Sequence, residues 1–100
     1  MRQDPTEAPL TVQHDSAHHR FVVPLPDGEA ELLYEPFADD IIDFQHTEVP
    51  PSGKGHGVGD ALVRAALAYA RERNLRVMAT CPYVQAWLRR HPEERPGASA

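Results

Sequence analysis

The sequence predicts a single α+β domain with a mixed sheet, a central βαβ unit and a short C-terminal helix. Three observations carry that expectation. Apolar residues alternate with polar ones across 20–49, an apolar stripe of helical period crosses 57–73, and a short apolar run follows at 75–81. Strand, helix and strand in that order make a parallel crossover, almost always right-handed, with ligands gathering at the carboxyl ends of its strands.

Residues 1–17 read as a disordered tail, being polar, broken by Pro5 and Pro9, and without sustained periodicity. Strands are expected at Arg20–Leu25 and 29–35, joined around Pro26, Asp27 and Gly28 as a hairpin, with Ala30, Leu32 and Tyr34 on one face. A third strand spans 41–49. Its alternation places Ile42, Phe44, His46 and Glu48 on one side, and Asp43, Gln45 and Thr47 on the other.

The helix at 57–73 should bury Val58, Leu62, Ala65, Ala66, Tyr69 and Ala70, leave Asp60 and Arg64 as an exposed i,i+4 pair, and stop at Asn74. Pro82 ends the strand at 75–81 and suits the first turn of a last helix, whose apolar side carries Val84, Trp87 and Leu88. Pro92 ends that helix. The folded domain is thus expected at 18–93, with 94–100 as a second disordered tail.

Between the third strand and the helix lies PPSGKGHGVG. Its glycines let backbone approach a ligand, and the free N–H groups opening the following helix, with a partial charge of roughly +0.5, favour an anion. A phosphate-bearing ligand is the expected occupant. His46 and Glu48 close one strand, Gly55 and Gly57 open the helix, and Cys81 closes the next strand, so all lie at one edge if the two strands are adjacent or splayed apart.

Net charge is −5, and residues 1–50 hold 2 Lys and Arg against 11 Asp and Glu, whereas residues 51–100 hold 8 against 4. Such acidity argues against nucleic acid, while a basic C-terminal half suits a small polyanion. The lone Cys81, and the lack of a long apolar run or of a signal-like N-terminus, point to a reducing cytoplasm and no membrane association. GxxxxGK[ST] is absent because Gly55 follows Lys54, which disfavours nucleotide triphosphate hydrolysis. His14, His18 and His19 lack a fourth metal ligand and read as an accident of composition.

HTEVPP, then KGHGVGDALV, then Cys-Pro-Tyr and Arg-Arg-His-Pro, in that order and spacing, resemble the GNAT superfamily of N-acetyltransferases, specifically its very small single-domain YjdJ-type branch. The resemblance implies a GNAT-like acyl-CoA N-acyltransferase fold and acetyl-CoA, or coenzyme A, as co-substrate. It also implies transfer of acetyl to a primary amine, with an amine or protein lysine as acceptor, by a monomer or weak dimer. Carried over by position, it assigns the pyrophosphate to Lys54, Gly55, His56, Gly57, Val58 and Gly59, and the pantetheine arm to the backbone of Thr47 through Val49. The chain departs from the pattern at Ser52 and Gly53, implying a looser loop, and at Glu94, implying weaker packing of the C-terminus.

Acyl transfer needs a deprotonated amine held against the carbonyl. His46 is the preferred base and Glu48 its orienter or an alternative base; read structurally, they are an interior histidine and a surface ion-pair partner. Cys81 either lines the thioester pocket, the favoured role, or takes the acetyl group first; otherwise it is a small core residue. The alternative function is a non-catalytic acyl-CoA-binding or interaction module.

Overall fold

The computed structural model describes residues 10–95. A five-stranded sheet has the order β1-β2-β3-β4-β5, with β1 at Gln13–Asp15, β2 at Arg20–Leu25, β3 at Gly28–Ala38, β4 at Ile41–Glu48 and β5 at Arg76–Ala79. The first four strands pair antiparallel and β5 joins β4 in parallel, so the sheet is mixed. Helix α1 at Val58–Glu72 makes the β4-to-β5 crossover, and α2 at Pro82–Arg90 follows β5.

Each element has a local cause. Pro26 and Asp27 make the turn that pairs Leu25 with Gly28. Asn74 takes the left-handed conformation at φ 57°, and the Leu75 N–H donates back to the Ala70 carbonyl at 2.8 Å, a glycine-type helix stop built on asparagine. Pro82 occupies the first turn of α2, where its missing N–H removes nothing.

Both helices lie on one face of the sheet, because Tyr83 and Trp87 of α2 touch Gly59 and Asp60 of α1. Leu32, Phe44, Leu62, Ala66, Val84 and Trp87 are among the side chains that close this single core. Trp87 is fully enclosed, and its truncation to Ala would cost roughly 3–5 kcal/mol. On α1 the buried stripe is shifted from the one expected: Val63 and Leu67 are fully buried, whereas Ala65 and Tyr69 are half-buried. Two packing partners, the sheet and α2, widen the buried arc beyond what the helix periodicity shows.

Among the described residues, no helix covers the other face of the sheet. Arg20 holds Asp15, Glu29 and Glu31 there at 2.9–3.0 Å, and that ring of carboxylates lifts its pKa still further above the ordinary arginine range.

Several expectations are corrected. Residues 13–15, assigned to a disordered tail, form β1: His14, itself exposed, stacks on Phe21 at 4.3 Å and meets the Tyr34 hydroxyl at 2.6 Å, tertiary contacts that a polar stretch does not advertise. Residues 1–9 and 96–100, assigned to the tails, lie outside the described residues. Glu94, the first residue of the expected second tail, is fixed instead: its carboxylate faces Arg64 at 3.6 Å and Arg71 at 3.8 Å, and the Arg95 side chain donates to the Val77 carbonyl at 2.9 Å.

The alternation of β4 also breaks. Leu33 of β3 faces His46 while the next residue, Tyr34, faces Phe44, leaving Gln45 as an extra residue on β4. This β-bulge inverts the faces beyond it. Thr47 joins Phe44 on the helix side, and His46 and Glu48 go to the open face.

Candidate functional site

β5 ends at Ala79, opposite Phe44, and the Cys81 N–H closes the ladder on the Phe44 carbonyl at 3.0 Å. The chain then turns into α2, whereas β4 runs on to Glu48. Beside this overhang is a cavity of about 320 Å³. Thr47 and Val49 form its strand wall, Lys54, Gly55 and Gly57 its loop wall, and the first turn of α1, with Tyr83 of α2, its far side.

The loop is suited to an anion. Gly55 and Gly57 have φ of 79° and 77°, where a side chain is strained, and a Cβ on either would project into open space at the cavity. Gly57 is the N-cap of α1 and supplies no side-chain cap, so the opening N–H groups of the helix stay available to a ligand. Lys54 places a cation on the same rim.

The loop is also anchored, contrary to the looseness expected from Ser52 and Gly53. The Ser52 N–H donates to Asp27 at 3.1 Å and its hydroxyl donates to the other carboxylate oxygen. Those hydrogen bonds hold the Asp27 carboxyl below the ordinary carboxylate range. Gly53 is buried so tightly that a Cβ would fall 2.7 Å from Leu25 and about 3 Å from Val49 and Val58. Absence of a side chain is what lets the loop dock.

Two residues of the cavity wall were not anticipated as site residues. Tyr83 lies against Gly59, where a Cβ would come within 2.5 Å of its hydroxyl, and partial burial pushes its phenol above the ordinary value. Asp60 accepts from the Trp87 indole at 2.8 Å and from Arg64 at 3.0 Å. Burial acts to raise its carboxyl, but those two donors outweigh burial and hold it low. The Cys-Pro-Tyr sequence was visible, but the contact of Tyr83 with Gly59 depends on how the helices pack.

Of the residues expected to bind cofactor, Thr47, Val49, Lys54, Gly55, Gly57, Val58 and Gly59 line the cavity, and His56 does not. Of those expected in catalysis, none lines it. Cys81 is closest by contact, buried with its Sγ 3.4 Å from Thr47 Oγ1. His46 and Glu48 face each other at 3.7 Å on the open face, with side chains 58% and 69% exposed. His46 is therefore not an interior histidine; the bulge puts it outside. Among the described residues no three His, Cys, Asp or Glu are grouped to hold a metal, and no helix is long and apolar enough to cross a membrane.

Comparison with known proteins agrees with this architecture. Residues 20–96 match the family model described as GCN5-related N-acetyl-transferase. Protein NATD1 of Bos taurus is 40% identical over 86 residues, covering 84% of this chain and 76% of that protein, and its Homo sapiens counterpart is 38% identical with the same coverage. The NMR solution structure of a GCN5-like protein from Staphylococcus aureus matches with a TM-score of 0.67 over 87% of this chain and 85% of that one. At 24% identity that likeness speaks for the fold alone. With the family model spanning most of the sequence, the chain belongs to the GCN5-related N-acetyl-transferase family.

Proposed function

We propose that this protein binds acetyl-CoA in the cavity beside β4 and transfers its acetyl group to a primary amine. The observation that carries the reading is the anchored glycine loop leading into an uncapped helix N-terminus, beside a strand that overhangs its parallel neighbour. Acetyl-CoA fits that shape: the amides of the loop and of the first turn of α1, with Lys54, would hold its pyrophosphate. The Thr47 to Val49 backbone would align the pantetheine arm. When bound, acetyl-CoA supplies an activated thioester.

The chain's own groups do the rest. Gly55 and Gly57 leave room for the phosphates, and Thr47 with Cys81 closes the seam between β4 and α2. His46, next to Thr47 but on the open face, would take the proton of an amine arriving from that side, with Glu48 orienting the imidazole. Tyr83, kept protonated by partial burial, walls the cavity beside the first turn of α1, and the departing thiolate takes its proton from water. Direct transfer leaves Cys81 buried behind Thr47 of the pocket wall, and the acceptor then stands in the open beside the exposed sheet face.

The exposure of His46 and Glu48, away from the cavity, favours a second reading: a module that holds acyl-CoA without turnover. His46→Ala separates the two. Loss of acetyl transfer to a polyamine or lysine peptide, with calorimetric CoA affinity intact, supports catalysis. No transfer by the native protein despite tight binding supports the module.

A further inference from the structure

At the opposite end of α1 from the glycine loop is a second cavity, of about 290 Å³. It lies where the C-terminal turn of α1 meets the β3–β4 hairpin and the entry to β5. Its walls combine two aromatic rings, an aliphatic floor and one cation. Tyr34 and Tyr69 stand with ring centroids 6.2 Å apart and planes tilted by 36°. Ile41, Ile42 and Leu75 form the floor. Arg73 places its guanidinium 5.2 Å from the Tyr69 centroid and, among the described residues, has no ion-pair partner. Asp39 stands on the hairpin side of the same cavity.

The walls are held in place before any ligand arrives. The Tyr34 hydroxyl is engaged by His14 Nε2 at 2.6 Å, and the His14 ring meets Tyr69 edge-on at 4.5 Å, so β1 braces both tyrosines from behind. Rings fixed in this way favour a planar aromatic group by offset or edge contacts. A guanidinium already lying on a ring face can still donate two parallel N–H groups to a carboxylate at the ring's edge. A single cation suits one monovalent acid better than a phosphate ester.

We propose that this cavity is a second ligand site, separate from the acyl-CoA cleft, that takes a small aromatic carboxylate. The ring lies against Tyr34 and Tyr69 and the carboxylate meets Arg73. An aromatic amino acid and an amine-free aromatic acid share this chemistry, and they differ only in whether an ammonium reaches Asp39.

The test is an amide-detected NMR titration of the full chain with phenylacetate and with L-phenylalanine, using cyclohexylacetate as the aliphatic control. Saturable shifts at Tyr69, Leu75 and Ile41, with residues 54–59 unmoved, are expected for the aromatic acids, and weaker binding for the control. Arg73→Gln, checked for an undisturbed amide spectrum, should weaken both aromatic ligands about tenfold or more, the factor expected for a lost charge-assisted contact. If Asp39→Asn weakens L-phenylalanine alone, the occupant is the amino acid; if it weakens neither, the occupant is the amine-free acid. Shifts that never saturate, shifts confined to the glycine loop, or unchanged affinity in Arg73→Gln would overturn the proposal. Because the shifts report position, failure here is independent of whether the first cavity binds acetyl-CoA.

Discussion

Thr47 Oγ1 and Cys81 Sγ meet at 3.4 Å, a contact that joins the overhanging end of β4 to the N-cap of α2. Under direct transfer this contact shapes the pocket and forms no covalent intermediate. Cys81→Ala should therefore retain most of its acetyl transfer and lose about 1 kcal/mol of stability, the usual scale for trimming a buried group. Intact-mass measurement after incubation with acetyl-CoA should find no acetyl adduct on Cys81. A stable adduct there, together with an inactive Cys81→Ala variant, would establish the covalent route.

Deleting Gln45 should leave the fold intact and damage the site. Removing the extra residue restores simple alternation, because Phe44 and Thr47 then fall on the same face with only His46 between them. Straightened, β4 no longer carries the local bend and added twist of the bulge beneath Thr47. Near-native circular dichroism with CoA affinity reduced about tenfold or more, some 1.4 kcal/mol, is the expected result in calorimetry.

Gly59→Ala should be destabilising because its Cβ would meet the Tyr83 hydroxyl at 2.5 Å. Tyr83 is 39% exposed and its ring can shift outward, so the cost is about 1 kcal/mol, the low end for overpacking. The penalty should largely disappear in a Tyr83→Ala background, where the clash is gone. A double-mutant cycle by urea denaturation measures the coupling directly.

Stability should fall as pH drops below 6.5. Burial first, and then the nearby Arg73 and His19, lower the pKa of His14 from its ordinary 6.5, and only Asp15 acts the other way. In the unfolded chain His14 takes up its proton around 6.5, whereas in the folded chain it does so at lower pH. Between those two values the unfolded state binds more protons, so acidification favours unfolding until the folded pKa is passed. His14→Phe should flatten this part of a pH series of melting temperatures, and β1 amides should lose hydrogen-exchange protection first in the native protein.

Much of this molecule was legible because its signals are local. Alternation around Pro26 and Asp27 marks the hairpin, the apolar stripe ended by Asn74 marks α1, and the glycine spacing marks a loop whose residues line the cavity. What escaped depends on partners. Nothing about Gln45 distinguishes it from any polar strand residue, and only the pairing of Leu33 and Tyr34 makes it a bulge, so the facing of His46 and Glu48 was inverted. Likewise Gly53 reads as flexible until Leu25, Val49 and Val58 close around it, and Glu94 reads as tail until Arg64 and Arg71 come within reach.

Calorimetric titration of the native protein and of Gly57→Val with acetyl-CoA bears most directly on the glycine loop as a pyrophosphate cradle. A β-branched side chain at Gly57 would sit at a φ of 77° and fill open space at the cavity, where the proposed pyrophosphate would lie. Micromolar binding by the native chain, lost in a folded Gly57→Val, is the expected outcome. No binding by the native chain, or equal binding by both proteins, would contradict the account.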